Sequence, residues 1–337
     1  MRTPRRNAVL TVPRAGDDRG RAPPRGRDHR DAGDAGRNGR VRRRPPLAEI
    51  LRRFHADSQP AAAARVAADP VEVAREQPRP ADREIAGLVA ACLAYGNAQV
   101  ARRNARDVVR RCGPAGPAAF ARAFQPGARD PGPFAGFRHR FTGPLDVAAL
   151  LAGAGDLLAR HGSLGAAFGD AWRAAGARLL PALAAFRDAL LDAPRVRRLL
   201  AGRPPSRALQ YLLPDPRRGS TCKRLFLYLR WMVRPDDGVD LGLWPDIPAA
   251  ALLVPVDTHV ARIAHNLGLT RRRTPNLPMA EEITAALRAV DARDPVKLDF
   301  ALCHLGISRA CPSRRDVHKC AACGIRAVCI QWHPARP

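Results

Sequence analysis

Apolar residues in this chain recur at helical intervals and nowhere alternate. In DREIAGLVAACLAYG, after Pro80, the positions Ile85, Leu88, Val89, Cys92 and Leu93 share one helix face, behind acidic residues suited to a helix start. Gly96-Asn97 breaks this helix, and AQVARRNARDVVRRCG supplies a second one ending at Gly113. LAEILRRFH, from Leu47, is a short amphipathic helix, and PLDVAALLAGAGDLLARHG puts Pro144 in a first turn and Gly162 at a stop. RLLPALAAFRDALLDA predicts a helix with a kink at Pro181. TCKRLFLYLRWMVR, THVARIAHNLGL, MAEEITAALRAV and PVKLDFALCHLG continue the pattern, whereas the Gly-, Pro- and Phe-rich stretch before Pro144 reads as a long loop. With no strand pattern and no internal repeat, the expected fold class is all-α.

The 337 residues suffice for one large domain or two lobes. Residues 1–46 are a low-complexity run of Arg, Gly, Pro and Asp that cannot bury enough apolar surface to order itself. Its 14 Arg and 5 Asp give +9 of the chain's +26, so the remainder still carries +17. A surplus of 57 Lys and Arg over 31 Asp and Glu points to a polyanionic partner, nucleic acid first, although Arg-rich codon usage also produces such a surplus. No stretch approaches the roughly twenty apolar residues of a membrane span, and AVLTV is too short for a signal sequence. A cytoplasmic location with reduced thiols, and no membrane partner, is therefore expected.

Four of the eight cysteines stand in ACPSRRDVHKCAACGIRAVC, with the spacing C-x8-C-x2-C-x5-C. Structural zinc usually takes two C-x2-C knuckles; here there is one, with His318 as a substitute ligand. A [4Fe–4S] cluster needs four thiolates around a cube, which one loop can supply. Disulfides fit a reducing compartment poorly. Cys303 reads as a core residue, and Cys92, Cys112 and Cys222 as small buried hydrophobes.

PVDTHVARIAHNLGL, a helix, and then LGISRACPSRRDVHKCAACGIRAVC resemble the C-terminal part of endonuclease III, a helix-hairpin-helix DNA glycosylase. The nearest resemblance is to a narrower, uncharacterised bacterial family of endonuclease III relatives, from Leu47 onward, and includes DREIAGLVAACLAYG and CKRLFLYLRWMVR. It implies a two-lobed all-α fold. Residues 47–81 would form an N-terminal helix packing with the cluster lobe, 82–250 a barrel lobe with a degenerate hairpin, and 251–337 the catalytic-Asp helix and cluster lobe.

The resemblance also implies roles. Cys311, Cys320, Cys323 and Cys329 would hold a [4Fe–4S] cluster, zinc remaining the alternative. Lys223 would be a nucleophile and Asp257, in V-D-T-H, its activator. Lysine suits that role because an amine forms an imine and a guanidinium does not. Tyr95, Asn97, Gly219, Arg309, Arg314, Arg315, Lys319 and Arg326 would contact nucleic acid. The expected partner is damaged duplex DNA, bound by a nucleoid-associated monomer acting as a glycosylase with abasic-site lyase chemistry. A non-catalytic iron–sulfur nucleic-acid-binding protein and an enzyme acting on RNA or modified nucleotides are the alternatives.

The chain departs from the pattern at the hairpin. The family's L-P-G-V-G-x-K stands here as LLPDPRRGSTCK, where only Gly219 matches, and PDDGVDLGLWPDI looks inserted between Lys223 and Asp257. Without the resemblance, Asp257 is a helix N-cap, Lys223 a surface amine and Tyr95 a core residue. His259 and Arg262 then read as packing or phosphate-facing residues. Arg230 and Arg234, either side of Trp231, read as core plus a solvated face.

Duplex binding should weaken steeply as salt rises, since phosphate contacts release counterions. Deleting residues 1–46 should flatten the slope in a salt titration without abolishing binding. Complete loss of affinity would place all binding in that segment.

Overall fold

A computed structural model describes residues 46–333. The Arg-rich segment expected over 1–46 lies, but for Pro46, outside them. Sixteen α-helices and no strand form among the described residues, the nearest approach to a ladder being one isolated pairing of His139 with Thr142. No helix there is long and apolar enough to cross a membrane.

The first helices are α1 (Leu47–Ser58), α2 (Ala62–Val66) and α3 (Val71–Arg75). Helix α4 (Pro80–Leu93) starts on its proline and is buried almost all round. Helix α5 (Ala98–Arg111) begins where Asn97 Oδ1 accepts from Val100 N at 3.1 Å. The expected long loop holds instead a short helix, α6 (Pro117–Ala123), and a 3-10 turn over Gly132–Phe134. The signal for α6 was Pro117 following Gly116.

Helix α7 (Pro144–His161) is the spine of the next layer, packed against α6, α9 and α10. Its G-A-G sequence permits that closeness. A Cβ on Gly155 would lie 2.0 Å from the Ala121 carbonyl oxygen, and one on Gly153 2.3 Å from that of Leu190. Helices α8 (Leu164–Ala174), α9 (Leu179–Leu191), α10 (Pro194–Leu200) and α11 (Arg207–Leu212) follow. Pro181 is the third residue of α9, where its missing N–H costs nothing, so the expected kink becomes a helix start. Helices α12 (Lys223–Val233), α13 (Thr258–Asn266), α14 (Leu277–Arg288), α15 (Asp299–Ile307) and α16 (Val317–Ala321) complete the order.

Two polar devices lie inside this core. Glu84, 5% exposed, accepts from Trp244 Nε1 at 2.7 Å and from Leu164 N and Gly165 N at the start of α8. Trp244 belongs to the segment that looked inserted, and it stacks on Phe168, so that segment is part of the core. The second device corrects the expectation of a solvated face on α12. Arg230 and Arg234 are buried. Arg230 pairs with Asp240 at 3.0 Å and with Asp299 at 2.5 Å, and Arg234 pairs with Asp240, Asp237 and Asp294.

Gly155→Ala should force α6 away from α7. Overpacking of this kind costs about 1–3 kcal/mol, so thermal unfolding should show Tm lowered by about 2–10 °C.

Candidate functional site

The chain enters α12 through a strained turn. After the 3-10 turn Pro216–Arg218, Gly219 takes φ +70° and Cys222 φ +46°, the latter a conformation that non-glycine residues rarely adopt. Lys223 is the first residue of the helix. Asp257 caps α13, its Oδ1 accepting from His259 N at 2.9 Å and Val260 N at 2.8 Å. That leaves Oδ2 for Lys223 Nζ, 3.3 Å away, and for the Cys303 thiol, which donates across 3.7 Å. The sequence-based N-cap role and the pairing with Lys223 thus coexist on separate oxygens.

Electrostatics make the pair ionic at rest. Burial works to raise the Asp257 carboxyl, but the Lys223 charge and the α13 amides outweigh it, and its pKa falls below the ordinary carboxylate value. Burial works to lower Lys223, but Asp257 and then Cys303 and Asp299 outweigh it, and its pKa rises. The Lys223 side chain stays 28% exposed, open to a cavity.

That cavity holds about 320 Å³. Tyr95, Gly96 and Asn97 form one wall, α15 contributes Asp299, Cys303, His304 and Ile307, and Asp69, His259 and Arg309 complete the lining. Tyr95 is pinned by its phenol, which donates to the His139 carbonyl at 2.8 Å and lies 2.7 Å from Thr142 Oγ1. Its ring stacks on Phe141, which is 53% exposed. Of the residues expected at the site, Lys223, Asp257, Tyr95, Asn97 and Arg309 are therefore brought together.

A second cavity, of about 460 Å³, also reaches Lys223 and is lined by Arg187, Arg207, Arg218, Ser220 and Arg224. The Arg224 guanidinium lies 3.6 Å from the centre of the Tyr211 ring, and its Nε is buried without a partner. Gly219 sits at the edge of this turn, its carbonyl accepting from Leu277 N, and lines neither cavity.

Cys311, Cys320, Cys323 and Cys329 line one pocket with Arg314, Arg315, Arg326 and Trp332. Asn266 Nδ2 faces Cys311 Sγ at 3.6 Å. Arg262, whose charge bears on the Cys311 thiol, has buried Nε and Nη2 atoms without partners. Among the described residues no three His, Cys, Asp or Glu side chains are gathered closely enough to share one metal ion. Lys319 is exposed on α16 and lines none of these pockets, and His318 is likewise exposed outside the sulfur pocket.

Sequence reasoning missed Asp69, Asp299, Cys303 and His304 as cavity residues. For the last three a signal existed: in DFALCHLGI they fall at i, i+4 and i+5, a polar strip on an otherwise apolar helix. Asp69 has no such signal, since it meets His304 across 235 residues of chain.

No curated protein and no solved structure matches the chain. The profile of one family, described as "Protein of unknown function (DUF2400)", matches residues 69–308, a span that holds Lys223, Asp257 and the whole of α15 and stops short of Cys311. Covering well over half of the sequence, this match shows that the chain belongs to the DUF2400 family.

Proposed function

We propose that the protein is a two-lobed helix-hairpin-helix-type DNA glycosylase with abasic-site lyase chemistry, its cysteine loop built around a [4Fe–4S] cluster. The observation that carries the reading is the Lys223–Asp257 pair, 3.3 Å apart beside a 320 Å³ cavity. The arginines of the adjoining cavity, with the exposed rings of Phe141 and Tyr211, suit the phosphates and bases of a nucleic acid.

An extruded nucleotide entering the cavity would strip water from Lys223 and favour release of its proton to solvent. The C1′–N bond then breaks with its electron pair leaving on the base, and the amine lone pair bonds to C1′. Asp257, held by two amides, keeps its negative charge beside the cationic sugar. Loss of a further proton from nitrogen and opening of the ring give the imine.

Four soft thiolates around one pocket, with Asn266 and the unpartnered donors of Arg262 beside them, fit an anionic iron–sulfur group. The cluster supplies a rigid centre to a charged segment with little core of its own.

Purified without oxygen, the protein should be brown and carry about four irons and four sulfides per chain. Cys320→Ala or Cys323→Ala should bleach it. Stoichiometric zinc after expression with iron supplied would overturn the cluster.

Borohydride should trap the protein covalently on abasic duplex DNA, and Lys223→Ala and Lys223→Arg should both abolish the adduct. Asp257→Asn should keep the α13 cap but lower the rate by about 10²-fold or more. Because the Lys223 pKa is raised, free amine is scarce at neutrality, and trapping should climb about tenfold per unit from pH 7 to 9. A flat profile, or trapping that survives loss of Lys223, would remove the amine from the chemistry.

A further inference from the structure

The cavity contains a second acid–base pair that the Lys223–Asp257 chemistry leaves unused. His304 Nε2 lies 3.3 Å from Asp69 Oδ2. Asp69 is itself held in place, its Oδ1 accepting from Val71 N at 3.0 Å. The two side chains are 11% and 18% exposed, and both line the cavity. The imidazole lies against the Phe300 ring, centroids 4.3 Å apart, so the pocket wall fixes its position. His304 Nδ1 has no hydrogen-bond partner among the described residues.

A carboxylate on Nε2 selects the tautomer with hydrogen there, so the second proton of an imidazolium sits on Nδ1, free to move. That is the arrangement of a proton donor. The reaction proposed above needs one, because a base leaving with the C1′–N electron pair carries negative charge until it is protonated. The first pair cannot serve. Asp257 stays ionised, and Lys223 must be a free amine at that moment. Arg230 and Arg309, also in the lining, hold their protons too tightly. The Cys303 thiol is committed to Asp257. His259 has no carboxylate bonded to its ring, and its side chain is pressed against α15 where Gly306 leaves no room for a Cβ.

We propose that His304, oriented by Asp69, is the catalytic acid that protonates the departing base; this rests on the glycosylase reading above. As the C1′–N bond breaks, its pair goes to the base. The Nδ1 proton of the imidazolium moves to a ring nitrogen or conjugated oxygen of that base. The neutral imidazole keeps its Nε2 proton on Asp69 and is recharged from solvent. Asp69 acts through His304 and is a positioning residue.

The test separates base release from sugar chemistry. Wild type, His304→Gln, His304→Ala and Asp69→Asn are each assayed for base release from a panel of duplexes bearing single damaged bases. Each is also trapped by borohydride on duplex DNA whose site is already abasic, where no base remains to protonate. The expected result for both His304 variants is a fall of about 10²–10³-fold in base release with trapping within a few-fold of wild type. Asp69→Asn should fall by about tenfold on the same arm, and added imidazole should restore part of the His304→Ala loss. Parallel loss of release and trapping would make His304 merely structural, and unchanged release would remove it from the chemistry. A wild type that traps but releases no base from any duplex would leave the acid nothing to serve and overturn the proposal alone. A wild type that does neither would sink the glycosylase reading beneath it.

Discussion

Arg230 sets the geometry on which the site depends. It reaches from α12 to Asp299 at the start of α15 and to Asp240 in the segment between, all three nearly free of solvent. Lys223 lies seven residues before Arg230, about two turns along the same helix, and Cys303 one turn beyond Asp299. The ion pairs therefore fix how far the amine at one helix start stands from the polar strip of the other. Burial pushes Asp299 up to about 6 even beside a guanidinium, so its charge survives only because Arg230 is there. Removing one member of such a set costs about 3–5 kcal/mol, since the charge left behind is unpaired.

Asp257 shows how one residue can serve the fold and the proposed chemistry together. One oxygen satisfies the first amides of α13 and the other faces Lys223. The Lys223 charge, and after it the Val260 amide that needs the cap, hold the carboxylate ionised, because both favour its charged form. The proposed chemistry asks nothing of the helix that helix formation did not already require.

The helices were legible wherever a long apolar face met a clear break, as in α4, α5, α7 and α12 to α15. Short helices such as α6 and α10 carry too few turns for periodicity to register, and only their leading prolines mark them. Pro181 misled because a proline inside an apolar run looks the same whether it kinks a helix or starts one; the difference is where the first amide falls. Arg230 and Arg234 misled because charge implies water until partners are known, and Asp240, Asp294 and Asp299 are brought in by tertiary folding. The positions of Lys223 and Asp257 were legible only through resemblance, since a lone lysine and an N-cap have ordinary uses. Their meeting at 3.3 Å is a property of the fold. The pairing of Asp69 with His304 lay beyond any local pattern.

Helix α1 meets the far end of the described chain. Arg52 Nε donates to the Val290 carbonyl, 238 residues on, and Phe54 lies under Gly324 inside the cysteine loop, just beyond which the Ile330 amide donates to the Asn266 carbonyl. During synthesis, then, the earliest of the described helices is made long before the segments it packs against at Val290 and Gly324. The Arg52 contact can form only after some 240 further residues have emerged, so the burial of Ile50 and Leu51 in the folded chain cannot be completed by neighbours in sequence alone.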